Sequence, residues 1–117
     1  MKYNVEEVKL VIRNRRSTFP RDYSGEKVAH EVVEEILESA NWAPSHKLTQ
    51  PWRFTVFSGS GLAKLATFQA ACYKEVSSMN GTFKEEKHQS LLTKPMLSSH
   101  IIAVAMKRDE KERIPEV

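Results

Sequence analysis

The chain has 117 residues, 40% of them hydrophobic, so it is long enough for one domain with a modest core and too apolar to be disordered throughout. Its 18 basic and 15 acidic residues are interspersed, which gives a net charge of +3 without the basic stripe of a nucleic-acid-binding protein. A single cysteine excludes an intrachain disulfide, and the longest apolar run, IIAVAM, is too short to cross a membrane. The N-terminus lacks the apolar segment of a signal peptide, so we expect a cytoplasmic protein with no membrane or nucleic-acid partner.

Two amphipathic helices are predicted in the first part of the chain. Apolar residues at helical spacing predict the first over residues 4–14, where the pattern stops at an Arg-Arg-Ser sequence. The second is predicted from His30 to Asn41, with its glutamates largely opposite the apolar side chains. Pro44 ends it, because the residue before a proline is biased away from helical angles.

A strand and a third helix follow a loop that has a proline at each end. The loop, PSHKLTQP, is restricted by Pro44 and Pro51. WRFTVF after it predicts a strand, and the SGSG turn leads into a helix over residues 61–78. Cys72 shares that helix with apolar residues, so we expect a packed, unreactive thiol.

The remaining part is a polar stretch, one very apolar strand and a charged end. Residues 79–95 predict a loop with room for one short helix. The β-branched run at residues 101–106 predicts a strand that is buried on both faces. Such a strand needs neighbours beyond the single other predicted strand, so either another copy supplies them or the chain is the front part of a larger domain.

Arg15, Arg16 and Ser17 place two guanidinium groups and a hydroxyl side by side at the end of the first helix. Cations there complement the helix dipole, which is their commonest role. The alternative is anion binding, because a guanidinium grips a phosphate with two hydrogen bonds and a hydroxyl adds a third. His46 is in the same way either a solvated loop residue or a side chain aimed by the two flanking prolines.

Other familiar chemical motifs are missing from the sequence. The histidines lack metal-ligand spacing, so no metal site is predicted. No glycine-rich phosphate loop or nucleophile elbow is present, and no catalytic side chain is predicted.

Three stretches, in this order and spacing, resemble the nitroreductase family of flavoproteins. They are RRS at residues 15–17, EVVEEILESANWAPS at residues 31–45 and QPWRF at residues 50–54. The resemblance covers roughly residues 5–58 well and extends more loosely to the apolar strand. It implies an α+β fold with helices packed on a mixed, mainly antiparallel sheet, and an intertwined homodimer with FMN at the subunit interface.

The resemblance also implies which residues bind the cofactor. Arg15, Arg16 and Ser17 match the family segment that contacts the FMN phosphate, ribityl chain and ring edge. The loop SHKLTQPW is similar to a branch in which a histidine reaches the flavin bound mainly by the other subunit. The resemblance implies that role for His46 and a position near the flavin for Trp42.

The implied function is an FMN-dependent NAD(P)H oxidoreductase that reduces nitro compounds or quinones by two-step hydride transfer. The sequence departs from many family members at Leu48, where they carry an asparagine, and family chains continue well beyond residue 117. We therefore interpret residues 1–117 as a single nitroreductase-like domain that lacks the family's C-terminal part. The alternatives are a non-enzymatic remnant that dimerises or binds a partner without flavin, and an unrelated small anion-binding domain.

Overall fold

The computed structural model describes residues 2–108, with His46 described by its backbone alone. Within that part, four α-helices and two strands form an α+β arrangement, as predicted, with two helices before each strand. The elements are α1 (Val5–Asn14), α2 (His30–Ala40), β1 (Trp52–Ser58), α3 (Ser60–Asn80), α4 (Glu85–Thr93) and β2 (His100–Met106). Each predicted element is confirmed to within about two residues, and α4 is the short helix for which the polar stretch left room.

Helix α1 forms for local reasons and packs very little against the rest of the described chain. The side chain of Asn4 caps it by accepting hydrogen bonds from the backbone N–H groups of Glu6 (3.1 Å) and Glu7 (3.2 Å). Other described residues do not cover its apolar face, since Val11 is 71% and Ile12 69% exposed. The helix prediction is confirmed, whereas the burial that its amphipathic pattern implies does not occur within the described residues.

The core lies along one side of α3. Leu62, Ala66 and Ala70 are buried at intervals of four residues, and Val33 of α2 and Pro95 are also buried. Helix α3 ends at Gly81, whose φ of 68° is the left-handed conformation that favours glycine at this position.

Cys72 is exposed, so the prediction of a packed thiol is wrong. It lies two residues beyond Ala70, which places it about 200° further around the helix and away from the buried side. Helical spacing identified a broad apolar surface on α3, but only one side of it is covered in the described chain.

The two strands pair in antiparallel orientation, from Trp52 opposite Met106 to Ser58 opposite His100. The strand at residues 101–106 is therefore confirmed, but it is not buried on both faces. Its first part is half-buried, whereas Val104 is 68% and Met106 69% exposed. A two-stranded sheet leaves each strand with one unpaired edge, so the covering that the sequence implies is not supplied by the described residues.

A polar cluster ties the start of α2 to the start of β2. Nε2 of His100 lies 3.1 Å from Nδ1 of His30, and Nδ1 of His100 lies 2.8 Å from the Ser99 hydroxyl. That hydroxyl also accepts a hydrogen bond from the backbone N–H of Val28 at 2.7 Å. These contacts span about seventy residues of chain and orient α2, whose last turn leads into the candidate site.

The described chain is more extended than a domain of its length usually is. Its radius of gyration is 18.5 Å, compared with about 13 Å expected for a compact domain of 117 residues. None of the helices described here is both long enough and apolar enough to cross a bilayer.

Candidate functional site

The first group of candidate residues is the Arg-Arg-Ser sequence at the end of α1. Arg15 leaves the helical conformation, with ψ of 132°, and its Nη1 lies 3.4 Å from the Ser17 hydroxyl. Nη1 of Arg16 donates to the backbone carbonyls of Arg13 (2.7 Å) and Arg15 (3.0 Å). Arg16 thus donates to carbonyls that the helix end leaves without partners, and its charge at this end also complements the helix dipole, the alternative to anion binding.

This role leaves most of the cationic surface available to an anion. Arg15, Arg16 and Ser17 are all exposed, and the ion pairs that the structure describes involve none of them. Each guanidinium carries five N–H donors, and the described bonds use only Nη1 of each side chain. The donor set of two guanidiniums and a hydroxyl fits a phosphate dianion.

The second group lies on the connection from α2 to β1. Lys47, Leu48 and Gln50 have positive φ values of 53°, 55° and 42°, in a region that side chains other than glycine rarely occupy. Each such residue costs on the order of 1 kcal/mol of conformational energy, so the surrounding contacts must hold the loop in place. Residues in this conformation cluster at functional sites.

Hydrogen bonds across the base of the loop supply those contacts. The indole Nε1–H of Trp52 donates to Oδ1 of Asn41 at 2.9 Å, which joins the end of α2 to the start of β1. The Gln50 amide donates to the Asn41 carbonyl at 3.5 Å, and the Gln50 backbone N–H donates to the Ser45 hydroxyl at 3.1 Å. Nη1 of Arg53 completes the set by donating to the carbonyls of Trp52 (2.7 Å) and Gln50 (3.1 Å).

A cavity of about 360 Å³ opens at this base. Its lining is formed by Asn41, Trp42, Gln50, Trp52 and Arg53. The cavity thus combines two indole rings, two side-chain amides and one cation, and none of the five lining residues is acidic. Its volume is within the range of about 300–1,000 Å³ that is usual for small-molecule sites.

The structure brings the predicted site residues together only in part. Trp42 lines the cavity and is 85% exposed. His46 opens the short 3-10 turn His46–Leu48, and its side chain lies outside the described part of the chain. The side-chain hydrogen bonds described for Arg15, Arg16 and Ser17 stay within residues 13–17, so none of them reaches the cavity.

Sequence reasoning missed Asn41 and Arg53 as site residues and left the role of Gln50 undecided. The signal for Asn41 was its position at the end of the second helix, just before a rigid loop that returns the chain to the same place. Arg53 sits in a period-two strand pattern with Trp52 and Phe54. A charged residue at the start of such a strand ordinarily indicates only a solvated face.

Among the described residues, no group of three or more His, Cys, Asp or Glu side chains is arranged to hold a metal ion. The side chains that the two groups of candidate residues do offer are guanidinium groups, amides and indole rings.

Comparison with known proteins decides the family. The model of the nitroreductase family matches residues 12–116, which includes both groups of candidate residues. The chain belongs to the nitroreductase family. The fold that the resemblance implied is thereby confirmed at the family level.

Individual nitroreductases are similar over parts of the chain. The chain is 37% identical over 105 residues to YfhC of Bacillus subtilis (strain 168), which is provisionally named an NAD(P)H nitroreductase; the match covers 88% of this chain and 51% of YfhC. It is 36% identical over 64 residues to the nitrobenzene nitroreductase of Ectopseudomonas oleovorans, covering 55% of this chain and 27% of that protein.

A solved structure agrees with the fold. The crystal structure of a nitroreductase-like family protein from Bacillus cereus superposes with a TM-score of 0.68 at 27% identity, covering 94% of this chain and 54% of that one. The chain thus spans about half the length of YfhC and of this structural neighbour, and less of the nitrobenzene enzyme.

Proposed function

We propose that the chain is part of an FMN-dependent NAD(P)H oxidoreductase that reduces nitro compounds or quinones. The observation that carries this proposal is the family match over residues 12–116, which includes an exposed Arg-Arg-Ser donor set suited to a phosphate. The names of the relatives point the same way, since one refers to NAD(P)H and another to nitrobenzene. The single cysteine suits a reducing compartment, and we therefore place the protein in the cytoplasm.

The residues of this chain fit FMN by their chemistry. Arg15 and Arg16 would hold the phosphate dianion through charge-assisted hydrogen bonds, and Ser17 would add a hydroxyl contact to the phosphate or ribityl chain. Bound FMN would supply the redox chemistry, accepting a hydride from NAD(P)H and passing electrons to the acceptor. The protein's own part is binding, orientation and electrostatics, and no side chain of this site needs to act as a nucleophile.

The two groups of candidate residues are used together if a second copy of the chain is present. Trp42 and His46 lie on the α2–β1 loop, whereas the hydrogen bonds of the Arg-Arg-Ser group stay at the end of α1. In a homodimer the loop of one copy would approach the flavin held by α1 of the other. The uncovered apolar residues of α1 and β2 support this assembly, because such surfaces usually mark interfaces.

A second candidate function is a non-enzymatic module that binds a partner without flavin. The same exposed apolar surface favours it. The two candidates differ in one property, which is the retention of FMN.

A flavin-retention experiment separates them. The purified 117-residue chain is mixed with FMN, desalted and examined by visible absorbance, and NADH or NADPH is then added. We expect a retained flavin band that is bleached by the reduced nicotinamide. A folded but colourless chain would overturn the proposed function and favour the partner-binding module.

Charge substitutions test the phosphate assignment. Arg16→Ala is expected to weaken FMN binding by about 2–5 kcal/mol, because it removes a charged contact to the phosphate. Glu35→Ala, on the exposed face of α2, is the control and should leave FMN affinity unchanged. Titration of FMN fluorescence measures both variants, and equal effects would count against the assignment.

A further inference from the structure

We infer that the cavity between α2 and β1 is a binding site for a small planar aromatic carboxylate, with Arg53 as the residue that selects its charge. The cavity is lined by Asn41, Trp42, Gln50, Trp52 and Arg53. The inference goes beyond the flavin proposal, since it concerns residues that the flavin assignment does not use, apart from Trp42. It rests on the proposed function only for the step from ligand to electron acceptor.

Arg53 is held in place and still has donors to offer. Its Nη1 donates to two backbone carbonyls, at 2.7 and 3.1 Å, which fixes the guanidinium at the edge of the cavity. The structure describes no hydrogen bond from its Nε or Nη2 and no ion pair of this side chain with an acidic residue in the described part of the chain. A guanidinium edge with two parallel N–H groups matches a carboxylate in geometry and charge.

The remaining lining specifies the rest of the ligand. Trp42 and Trp52 offer ring faces and edges on which a flat molecule can stack. The Asn41 and Gln50 side chains are amides that can meet polar substituents. A volume of about 360 Å³ is near the lower limit for small-molecule sites of about 300–1,000 Å³, so one aromatic ring with its substituents fits better than a dinucleotide.

Hydrogen bonds within the protein hold the loop between α2 and β1 in its conformation without a ligand. Asn41 is bonded to Trp52 at 2.9 Å, and Gln50 is bonded to Ser45 and accepts from Arg53 at 3.1 Å. Because these contacts hold Asn41, Gln50, Trp52 and Arg53, ordering those four lining residues costs binding little conformational entropy.

Tryptophan fluorescence offers a direct test. The chain has only two tryptophans, and both line the cavity, so quenching by a nitroaromatic compound reports on this site. The probes are 4-nitrobenzoate and its neutral counterpart 4-nitrobenzamide, with a correction for absorbed light from free N-acetyltryptophanamide. We expect saturable quenching by both, with the carboxylate bound about tenfold or more tightly because of the charge-assisted contact.

Variants of Arg53 separate charge recognition from loss of structure. Arg53→Gln should weaken 4-nitrobenzoate binding by about 10- to 100-fold and leave 4-nitrobenzamide binding nearly unchanged. Arg53→Lys keeps the charge without the two-pronged geometry and should fall between. Arg21→Gln, which removes a cation outside the cavity lining, is the matched control and should behave as wild type.

Every outcome decides the question. Equal affinity for acid and amide in the wild type, or parallel loss of both ligands in Arg53→Gln, would overturn the inference. If 2′,5′-ADP competes with 4-nitrobenzoate in an Arg53-dependent way, the cation serves a nucleotide phosphate instead and the aromatic carboxylate assignment fails. Failure to retain FMN with intact, Arg53-dependent binding of 4-nitrobenzoate would sink the proposed function and leave this inference standing.

Discussion

The hydrogen bond between Trp52 and Asn41 should be measurable as a coupling energy in folding stability. The Trp52 indole N–H donates to Oδ1 of Asn41 at 2.9 Å, and Trp52 is half-buried. A net hydrogen bond contributes about 0.5–1.5 kcal/mol, and a donor left without a partner adds to the cost of Asn41→Ala. We therefore expect Asn41→Ala to lower the free energy of unfolding by about 1–2 kcal/mol.

A double-mutant cycle isolates this bond from other effects. Asn41→Ala, Trp52→Phe and the double variant are unfolded in urea and followed by far-UV circular dichroism, since Trp52→Phe also alters fluorescence. The expected coupling energy is about 0.5–1.5 kcal/mol, because each single variant already removes the bond. Asn14→Ala replaces Asn41→Ala in the control cycle, since Asn14 at the end of α1 makes no described contact with Trp52.

The cycle has a clear refuting result. A coupling energy below about 0.3 kcal/mol, the same as in the control cycle, would mean that the bond does not contribute to the base of the loop. The walls of the cavity would then not be held in advance by the bond between Trp52 and Asn41.

Two further predictions concern the scaffold around α3. Leu62→Ala should lower the free energy of unfolding by about 2–5 kcal/mol, because Leu62 is 2% exposed. Leu48→Ala should change it by less than about 0.5 kcal/mol, because Leu48 is 86% exposed. Urea unfolding measures both variants, and similar losses would contradict the assignment of the core. Gly81→Ala should destabilise the fold by about 1 kcal/mol because φ at Gly81 is 68°. Gly61→Ala should stabilise it by about 0.5 kcal/mol, because Gly61 lies in the first turn of α3 with only Phe57 near the added methyl, at 4.0 Å. The melting temperatures of the two variants should therefore shift in opposite directions.

The elements of the fold were predictable because their signals are local. Helical periodicity over α1 to α3 and the β-branched run of β2 are set by a few residues each, and all of them appear at the expected positions. Burial was not predictable in the same way. Residues 103–106 of β2 and Cys72 on α3 are exposed, and residues 101 and 102 are only half-buried, since burial depends on layers that the described residues do not provide.

The candidate site was likewise predictable only where its residues are neighbours in the sequence. Arg15, Arg16 and Ser17 could be named from adjacency alone, since three polar side chains in sequence stay close in any structure. The cavity could not be predicted, because it depends on how close the start of β1 comes to the end of α2 in space. The bond from Trp52 to Asn41 joins residues eleven apart, and the turn between them uses positive φ at residues where neither glycine nor asparagine signals it.

Association of two copies of the chain would explain both the exposed apolar surface and the separation of the two groups of candidate residues. If FMN is held by the end of α1 on one copy and by the α2–β1 loop of another, then flavin binding and association of the copies are linked, and each must strengthen the other by the same factor. A monomer would then bind FMN less tightly than the dimer that forms in the purified sample, because its α1 and β2 faces are uncovered. On this argument the stability of the fold and the affinity for the cofactor are not separate properties, because both depend on contacts that the described residues do not complete on their own.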